Sequence, residues 1–216
     1  MELRIDGMHI VPKVGQTLLE LIRELKLDCE KLSCRPLAAK IAGEVFTLNY
    51  VPVREKDIQD RPTIRRAMAA SGGEVRLLYY SDPAGKECYI RTAQFVMFLA
   101  LRQLWPEATA KMNCTLGSSV YIQVCDGKDF SASKLKTRFA ELVAEDIPLQ
   151  RRRISLGEAV EHFTREGQLD KARLLRWRPV DYFDVYAHGD FMDYYYGEMM
   201  PFTGYLTVWD IVPADG

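Results

Sequence analysis

The residues best suited to catalysis or metal binding are three histidines and five cysteines, and their spacing does not group them. The histidines are His9, His162 and His188, and the cysteines are Cys29, Cys34, Cys88, Cys114 and Cys125. A zinc site needs clustered Cys, His or carboxylate ligands. The chain has no C-x-x-C pair, and the spacing of Cys29 and Cys34 is unhelpful for zinc. The sequence therefore predicts no metal site.

The three histidines also fail to indicate a hydrolase. His9 lies in a predicted hairpin and is expected at the surface, whereas His162 borders the apolar face of a predicted helix. His188 stands beside Gly189 and Asp190 in a predicted turn and is the only histidine near other polar candidates. A G-x-S-x-G nucleophile motif is also missing from the sequence.

The sequence lacks the patterns of the common phosphate-binding loops. A Walker A loop needs a glycine-rich turn followed by Lys and then Ser or Thr. Gly85-Lys86 is followed by Glu87, and Gly127-Lys128 is followed by Asp129, so neither fits. No G-x-G-x-x-G motif occurs either. The sequence predicts no phosphoryl transfer by a P-loop mechanism.

Two segments could bind a ligand through charge or aromatic rings. The run Arg151-Arg152-Arg153 is typical of a solvated face, and phosphate contact is the alternative. Residues 181–212 mix tyrosines with acidic residues such as Asp193. This pattern favours a half-buried sheet. The alternative is a pocket where rings stack on a base or cover an amine.

The predicted elements form an α+β fold with two domains. Hairpin, helix and further strands within residues 1–80 follow the layout of a β-grasp domain, and the boundary is placed near residue 81. Ser or Thr followed three residues later by Glu predicts helix starts after Thr17 and Ser155. The predicted helices are 18–26, 87–104, 131–144, 156 onward and 169–175; the predicted strands are 2–6, 8–12, 37–42, 45–48, 75–80, 110–115, 119–125, 147–153 and much of 181–212, with a solvated loop at 54–73.

Composition bounds these interpretations. The chain has 216 residues, 48% hydrophobic and 27% charged, with a formal net charge of −1. This balance argues against disorder and against a globally basic surface for nucleic acid, although not against a local basic patch. Neither an apolar run long enough to span a membrane nor a secretory signal is seen in the sequence. We expect a cytoplasmic protein with reduced thiols.

At this point the motifs resemble those of known families. The N-terminal segment, with TLLELI at 17–22 and LAAKIAGE at 37–44, resembles a TGS domain, the β-grasp module of threonyl-tRNA synthetase. The remainder resembles the editing-type domain of the same enzyme, shared with alanyl-tRNA synthetase. GKECYIRTAQF at 85–95 lies where that family has an H-x-x-x-H helix, LWP follows at 104–106, and GDFMDYYYGEMMP at 189–201 lies where it has C-x-x-x-H.

The departures from that family concern its catalytic positions. Arg91 and Phe95 replace the two histidines of H-x-x-x-H, and Tyr195 and Met199 replace the cysteine and histidine of C-x-x-x-H. Phe and Met neither ligate zinc nor move protons here, and a permanently charged Arg is no general base. We therefore expect no zinc in the purified chain. Lys171 and Asp193 match polar residues of the editing pocket, and those two alone do not make a deacylase.

This pattern of losses resembles a second family. Bacterial uridine kinase-like proteins carry a TGS domain and a degenerate editing-like domain ahead of a P-loop kinase domain. They are similar to this chain in RTAQF at 91–95 and YGEMMPFTGY at 196–205. The resemblance implies that a kinase domain follows in cis after residue 216, so ATP and Mg are expected only for that domain. This chain is then expected to have no cofactor and no kinase activity of its own.

Three functional hypotheses follow. The leading one is a non-catalytic ligand- or RNA-recognition module, whose old editing cleft survives as a pocket for a nucleoside, an amino acid or a tRNA 3′ end. Its expected lining residues are Arg91, Phe95, Lys171, Asp193, Tyr195 and Met199. The alternatives are a metal-independent aminoacyl-tRNA deacylase-like hydrolase and a structural or dimerisation module. Replacing Arg91 distinguishes a ligand-binding arginine from a structural ion-pair residue, paired with Asp193 or Glu198.

Overall fold

The structure is a computed structural model that describes residues 2–53, 72–117, 119–125 and 127–214. The predicted loop at 54–73 lies almost wholly outside the described residues. The chain divides into two compact units, the first comprising Met1–Leu149 with Gly197–Gly216 and the second Gln150–Tyr196. The described residues form helices and strands, and the strands lie in separate sheets, so the predicted α+β class is confirmed. The predicted domain boundary near residue 81 stays a prediction.

The first unit begins with a five-stranded sheet whose order is β2-β1-β5-β3-β4. Only the β1–β5 pairing is parallel among these neighbours. Its elements are β1 Leu3–Ile5, β2 Met8–Ile10, α1 Leu18–Glu24, β3 Ala38–Ile41, β4 Glu44–Phe46 and β5 Glu74–Leu78. The predicted capping box is present, because Thr17 accepts from the Glu20 amide and the Glu20 carboxylate accepts from the Thr17 amide. This arrangement matches the predicted β-grasp layout.

The rest of the first unit is built around a long helix. Its elements are α2 Pro83–Leu104, β6 Thr109–Leu116, β7 Ser119–Cys125, α3 Ala132–Ala144 and a 3₁₀ turn at Thr203–Tyr205. Helix α2 packs against α3, and β6 and β7 form a two-stranded antiparallel sheet. Helix α2 begins before the predicted residue 87, because Asp82 is its N-cap and Pro83 suits the first turn of a helix.

The second unit pairs a three-stranded antiparallel sheet with two helices. Its elements are β8 Arg151–Ser155, α4 Leu156–Arg165, α5 Leu169–Leu175, β9 Tyr182–His188 and β10 Phe191–Asp193. The sheet order is β10-β9-β8, and α4 contacts α5. The core is formed by Ala159, Phe163, Ala172, Leu175, Phe183 and Val185. This core fixes α5 and the end of β10 within one unit.

Three sequence-based predictions need correction. The strand predicted at 147–153 starts only at Arg151, because Ile147 is held by Thr203: its amide donates to Thr203 Oγ1 at 2.9 Å. In the tail, described strand residues end at Asp193, and a short 3₁₀ turn follows instead. The expectation of reduced thiols is wrong for Cys29 and Cys34, which form a disulfide because the turn between them brings their Cα atoms to 5.8 Å.

The described part of the chain was expected to contain neither a membrane span nor a metal site. None of its helices combines the length and the apolar character needed to cross a bilayer. No group of three or more His, Cys, Asp or Glu residues in that part is placed to hold a metal ion.

Candidate functional site

The six predicted pocket residues are divided between the two units. Arg91, Phe95 and Met199 belong to the first, and Lys171, Asp193 and Tyr195 belong to the second. The predicted pocket that would combine all six stays a prediction.

Arg91 fastens helix α2 to the segment that follows Tyr196. Its Nη1 donates to the main-chain oxygen of Glu198 at 2.7 Å, and its Nη2 contacts Glu87 Oε2 at 2.7 Å. The guanidinium also occupies the space beside Gly197, where an added Cβ would lie 2.7 Å from Arg91 Cζ. Gly197 has a φ of +121°, which glycine tolerates best. These contacts favour a structural role for Arg91, through the Glu87 carboxylate and the main-chain carbonyl of Glu198.

Replacing Arg91 should therefore affect stability. Arg91→Met keeps an unbranched side chain but removes both hydrogen bonds, so we expect the free energy of unfolding to fall by about 1–3 kcal/mol. Thermal denaturation followed by circular dichroism measures this, with Arg102→Met on the same helix as a control that leaves Glu87 and Glu198 untouched. A melting temperature unchanged from that of the unmodified chain would contradict the structural role.

Phe95 and Met199 lie in the core of the first unit. Phe95 is 0% exposed and Met199 is 1% exposed. Thr92, three residues before Phe95 on α2, joins the same two segments: its hydroxyl donates to Cys88 O at 2.9 Å and accepts from the Met200 amide at 3.0 Å. Thr92 belongs to the RTAQF motif at 91–95, but the motif does not indicate which backbone groups its hydroxyl would bind. Packed side chains therefore enclose both Phe95 and Met199 in the first unit.

Cys88, one turn before Thr92 on α2, is not a reactive thiol. It is buried, and burial raises the pKa of the Cys88 thiol to about 11, an effect that the nearby Arg91 charge only partly offsets. The protonated thiol is a poor nucleophile at neutral pH. Cys88 therefore does not replace the cysteine that the editing family has in its C-x-x-x-H segment.

Lys171 and Asp193 form the polar centre of the second unit. Lys171 Nζ lies 2.6 Å from Asp193 Oδ1, and that oxygen also accepts from the Tyr194 amide at 2.8 Å. The side chains are 31% and 15% exposed, respectively, so the pair is partly shielded from water and still reachable. Sequence resemblance had singled out both residues, and the structure brings them together.

Aromatic rings surround this ion pair. Lys171 Nζ lies 5.3 Å from the ring centroids of both Phe163 and Tyr194, within the range of cation–π attraction. Phe183 packs edge-on against the same two rings, at centroid distances of 6.2 and 5.0 Å. The ammonium group is thus held by one carboxylate and two ring faces, which positions it firmly.

Tyr195 and His162 complete the polar groups of this unit. Burial raises the pKa of Tyr195 well above its usual value, and the Asp193 charge adds to the effect. Tyr195 therefore remains a neutral hydrogen-bonding group at physiological pH. His162 is 7% exposed and its Nε2 lies 3.1 Å from Met192 O, so the expected position at the edge of the core is confirmed.

The remaining sequence candidates are surface or structural residues. His9 is exposed beside Glu2, at 2.9 Å, as expected. Arg153, from the basic run, forms a two-pronged contact with Asp184 at 2.9 and 3.2 Å and stacks over Tyr182. The first unit also has a cavity of about 720 Å³ between α2, β7, α3 and residues 208–214, and none of the six predicted pocket residues lines it.

Comparison with known proteins gives a consistent result. No protein-family model matches the chain. Curated relatives are threonine–tRNA ligases: that of Desulforamulus reducens is 27% identical over 205 residues, 93% of this chain and 29% of the relative. Those of Carboxydothermus hydrogenoformans and Syntrophomonas wolfei are 26% and 23% identical over 68% and 98% of this chain, covering 24% and 31% of the relatives. The chain thus spans less than a third of the length of these relatives.

The predicted similarity to the threonyl-tRNA synthetase region is therefore confirmed. The uridine kinase-like assignment has no support in these comparisons. The expected kinase domain in cis, with its ATP and Mg, stays a prediction.

Proposed function

We propose that the chain binds the aminoacylated 3′ end of a tRNA and that Lys171 and Asp193 contact it. The observation that carries the proposal is the Lys171–Asp193 pair, partly exposed and 2.6 Å apart, in a chain similar over 93% of its length to a threonine–tRNA ligase. The names of these relatives specify an amino acid and a tRNA. A site for the end of tRNA where the two are joined agrees with both.

The chemistry of the pair suits this ligand. An esterified amino acid carries a free ammonium group, which a carboxylate such as Asp193 binds well. The Lys171 ammonium can donate to the ester carbonyl or to a hydroxyl of the terminal ribose. The rings of Phe163 and Tyr194 beside Lys171 partly shield the ammonium group from water and keep it in place. The site would therefore recognise the positive charge of the amino acid and the hydrogen-bonding oxygen atoms of the ester or the ribose.

Recognition agrees better than metal-assisted or thiol chemistry with the residues at the family's catalytic positions. Arg91, Phe95, Tyr195 and Met199 supply no metal ligand set and no general base. Phe95 and Met199 are also buried in the first unit, at 0% and 1% exposure. Binding requires none of these groups, because Asp193 can contact the ammonium group of the ligand and Lys171 can contact its oxygen atoms.

A metal-independent deacylase is the second candidate, and the same pair favours it. Asp193 can take a proton from water as the resulting hydroxide attacks the ester carbonyl, while Lys171 stabilises the negative oxygen. The ribose 3′-oxygen then leaves with the proton returned from Asp193, and the products are a free amino acid and tRNA. Tyr195, kept neutral by its raised pKa, can donate a hydrogen bond but cannot serve as the base.

The experiment compares Asp193→Asn with Asp184→Asn, since both carboxylates lie in the second unit and pair with a cation. Fluorescence anisotropy measures the affinity for an RNA hairpin ending in CCA, with and without an esterified threonine. We expect the unmodified chain to prefer the aminoacylated hairpin. Asp193→Asn should reduce that preference at least tenfold, because it removes the charge facing the ammonium group, while Asp184→Asn should change it less than twofold.

The outcomes separate the candidates. Equal affinity of the unmodified chain for both hairpins contradicts the proposal. Release of threonine faster than the spontaneous rate, abolished by Asp193→Asn and preserved in Asp184→Asn, makes hydrolysis the function. Circular dichroism melts of both variants establish that they are folded.

A further inference from the structure

We propose that an exposed turn at the end of α5 is an RNA-binding surface, which we call the Trp177 patch. It comprises Arg173, Arg176, Trp177 and Arg178. This inference rests on the proposed function for its partner, an RNA, and assigns a surface that is different from the Lys171–Asp193 pair. Neither the spacing of the arginines nor the resemblance to any family had indicated it as a site.

Hydrogen bonds bring the members of the Trp177 patch close together. After α5 ends at Leu175, the amides of Arg176, Trp177 and Arg178 donate to Arg173 O, Leu174 O and Leu175 O at 3.2, 3.2 and 3.1 Å. These are successive tight turns, so the chain continues to coil past the helix end. Four side chains within six residues are therefore displayed from one short coiled segment.

The patch is exposed on a firmly anchored base. Trp177 is 88% exposed, and the three arginines are exposed as well. On the other side of the same helix, Ala172 and Leu175 belong to the core of the second unit. An exposed indole does not stabilise the unit, because apolar area contributes to stability only when it is removed from water. Its exposure is better explained by a partner that covers it.

The positive charge of the patch is not neutralised within the described part of the chain. There, no carboxylate forms an ion pair with Arg173, Arg176 or Arg178, although Arg153 and Arg138 both have carboxylate partners. Among these three arginines, Arg178 has a ring contact in the described residues, with its guanidinium 4.9 Å from the centroid of Phe183. Three arginines without a carboxylate partner among the described residues make this a local basic surface, although the whole chain has a net charge of −1.

Single-stranded RNA is the partner that uses both features. Arginine binds phosphate with two parallel hydrogen bonds, and an exposed indole stacks on a base of any sequence. An acidic protein would match the charge but would leave the indole without a planar partner. The combination of three arginines and a tryptophan in one turn thus favours an unpaired stretch of RNA, such as the one next to the acceptor stem of a tRNA.

The test uses the full chain with unacylated tRNA and an unstructured RNA oligonucleotide as probes. Trp177→Ala should weaken binding of the oligonucleotide about tenfold, whereas Trp177→Phe, which keeps a ring, should stay within about threefold of the unmodified chain. RNA should quench the fluorescence of Trp177, and this quenching should be lost in Trp177→Phe although Trp105 and Trp209 remain.

The charge is tested by neutralising all three arginines to alanine. The slope of log affinity against log salt should become shallower by about 2, since each phosphate contact with a single strand contributes about 0.7. A matched control neutralises the exposed lysines Lys13, Lys40 and Lys111 to alanine and carries the same change in net charge. That control should keep the slope of the unmodified chain.

Three outcomes would overturn the patch: the triple arginine variant keeps the slope, Trp177→Ala keeps the affinity, or a polyglutamate peptide competes as well as RNA. Unacylated probes make this result independent of the Lys171–Asp193 pair. If the patch variants bind RNA more weakly but the unmodified chain does not prefer the aminoacylated hairpin, the Trp177 patch is supported and the proposed function is contradicted. If the patch variants keep their RNA affinity and the unmodified chain prefers the aminoacylated hairpin, the proposed function is supported and the patch is contradicted.

Discussion

Phe95→Ala is expected to lower the free energy of unfolding by about 3–5 kcal/mol. Phe95 is fully buried on α2, so its replacement removes apolar contacts and leaves a cavity that the helix cannot easily close. Urea denaturation followed by circular dichroism measures the change through the shift in midpoint. The same substitution also tests the predicted pocket, because a ring that lines an open cleft would affect ligand binding and have little effect on stability.

Phe130→Ala is the matched control for this measurement. Phe130 is the same residue type in the same unit but is 40% exposed, so much of its ring already contacts water. We expect a loss of about 1 kcal/mol for Phe130→Ala. Equal losses of unfolding free energy for the two variants would contradict the assignment of Phe95 to the core and would favour the predicted role in a pocket.

Local signals in the sequence predicted much of the fold correctly. The capping boxes at Thr17 and Ser155 both formed, because each depends only on residues three positions apart. Strand β7 and helix α5 have the predicted bounds, since turn residues and apolar spacing limit them on both sides. Signals of this kind are complete within one or two turns of chain and need no knowledge of the rest of the molecule.

Long-range contacts decided the places where prediction failed. Ile147 reads as part of a strand, yet its amide donates to Thr203, 56 residues away. The tyrosine-rich tail reads as sheet, but Met200 is instead fixed by the Thr92 hydroxyl of α2. Such hydrogen bonds override local strand propensity because a buried amide must find an acceptor. No local pattern specifies which distant residue will supply it.

The candidate site was predicted in the same uneven way. Resemblance to the editing domain named Lys171 and Asp193, and the structure places them 2.6 Å apart. For Arg91 the sequence offered Asp193 or Glu198 as ion-pair partners, while its contacts are the Glu198 carbonyl and the Glu87 carboxylate. The charges in a sequence cannot predict a main-chain acceptor, because every residue has a main-chain carbonyl whatever its side chain.

Gly85→Ala is expected to destabilise the first unit by about 3 kcal/mol, against the usual preference of helices for alanine. Gly85 lies in the first turn of α2, where an added Cβ would meet the main-chain oxygen of Tyr79 at a distance far below contact and its carbonyl carbon at 2.8 Å. Both obstacles are backbone atoms, so α2 must move away from the end of β5. That movement would disturb the helix that carries Arg91, Thr92 and Phe95.

Gly157→Ala in the first turn of α4 gives the opposite expectation. The nearest atom to its added Cβ is Ser155 Oγ, at 3.9 Å, which is ordinary contact. Alanine restricts the unfolded chain and favours the helix, so stability should rise by up to about 1 kcal/mol. Thermal and urea unfolding of the two variants side by side separates the effects, because both exchange a helical glycine for the same residue. A shift of the same sign in both would mean that α2 does not approach Tyr79 as closely as described.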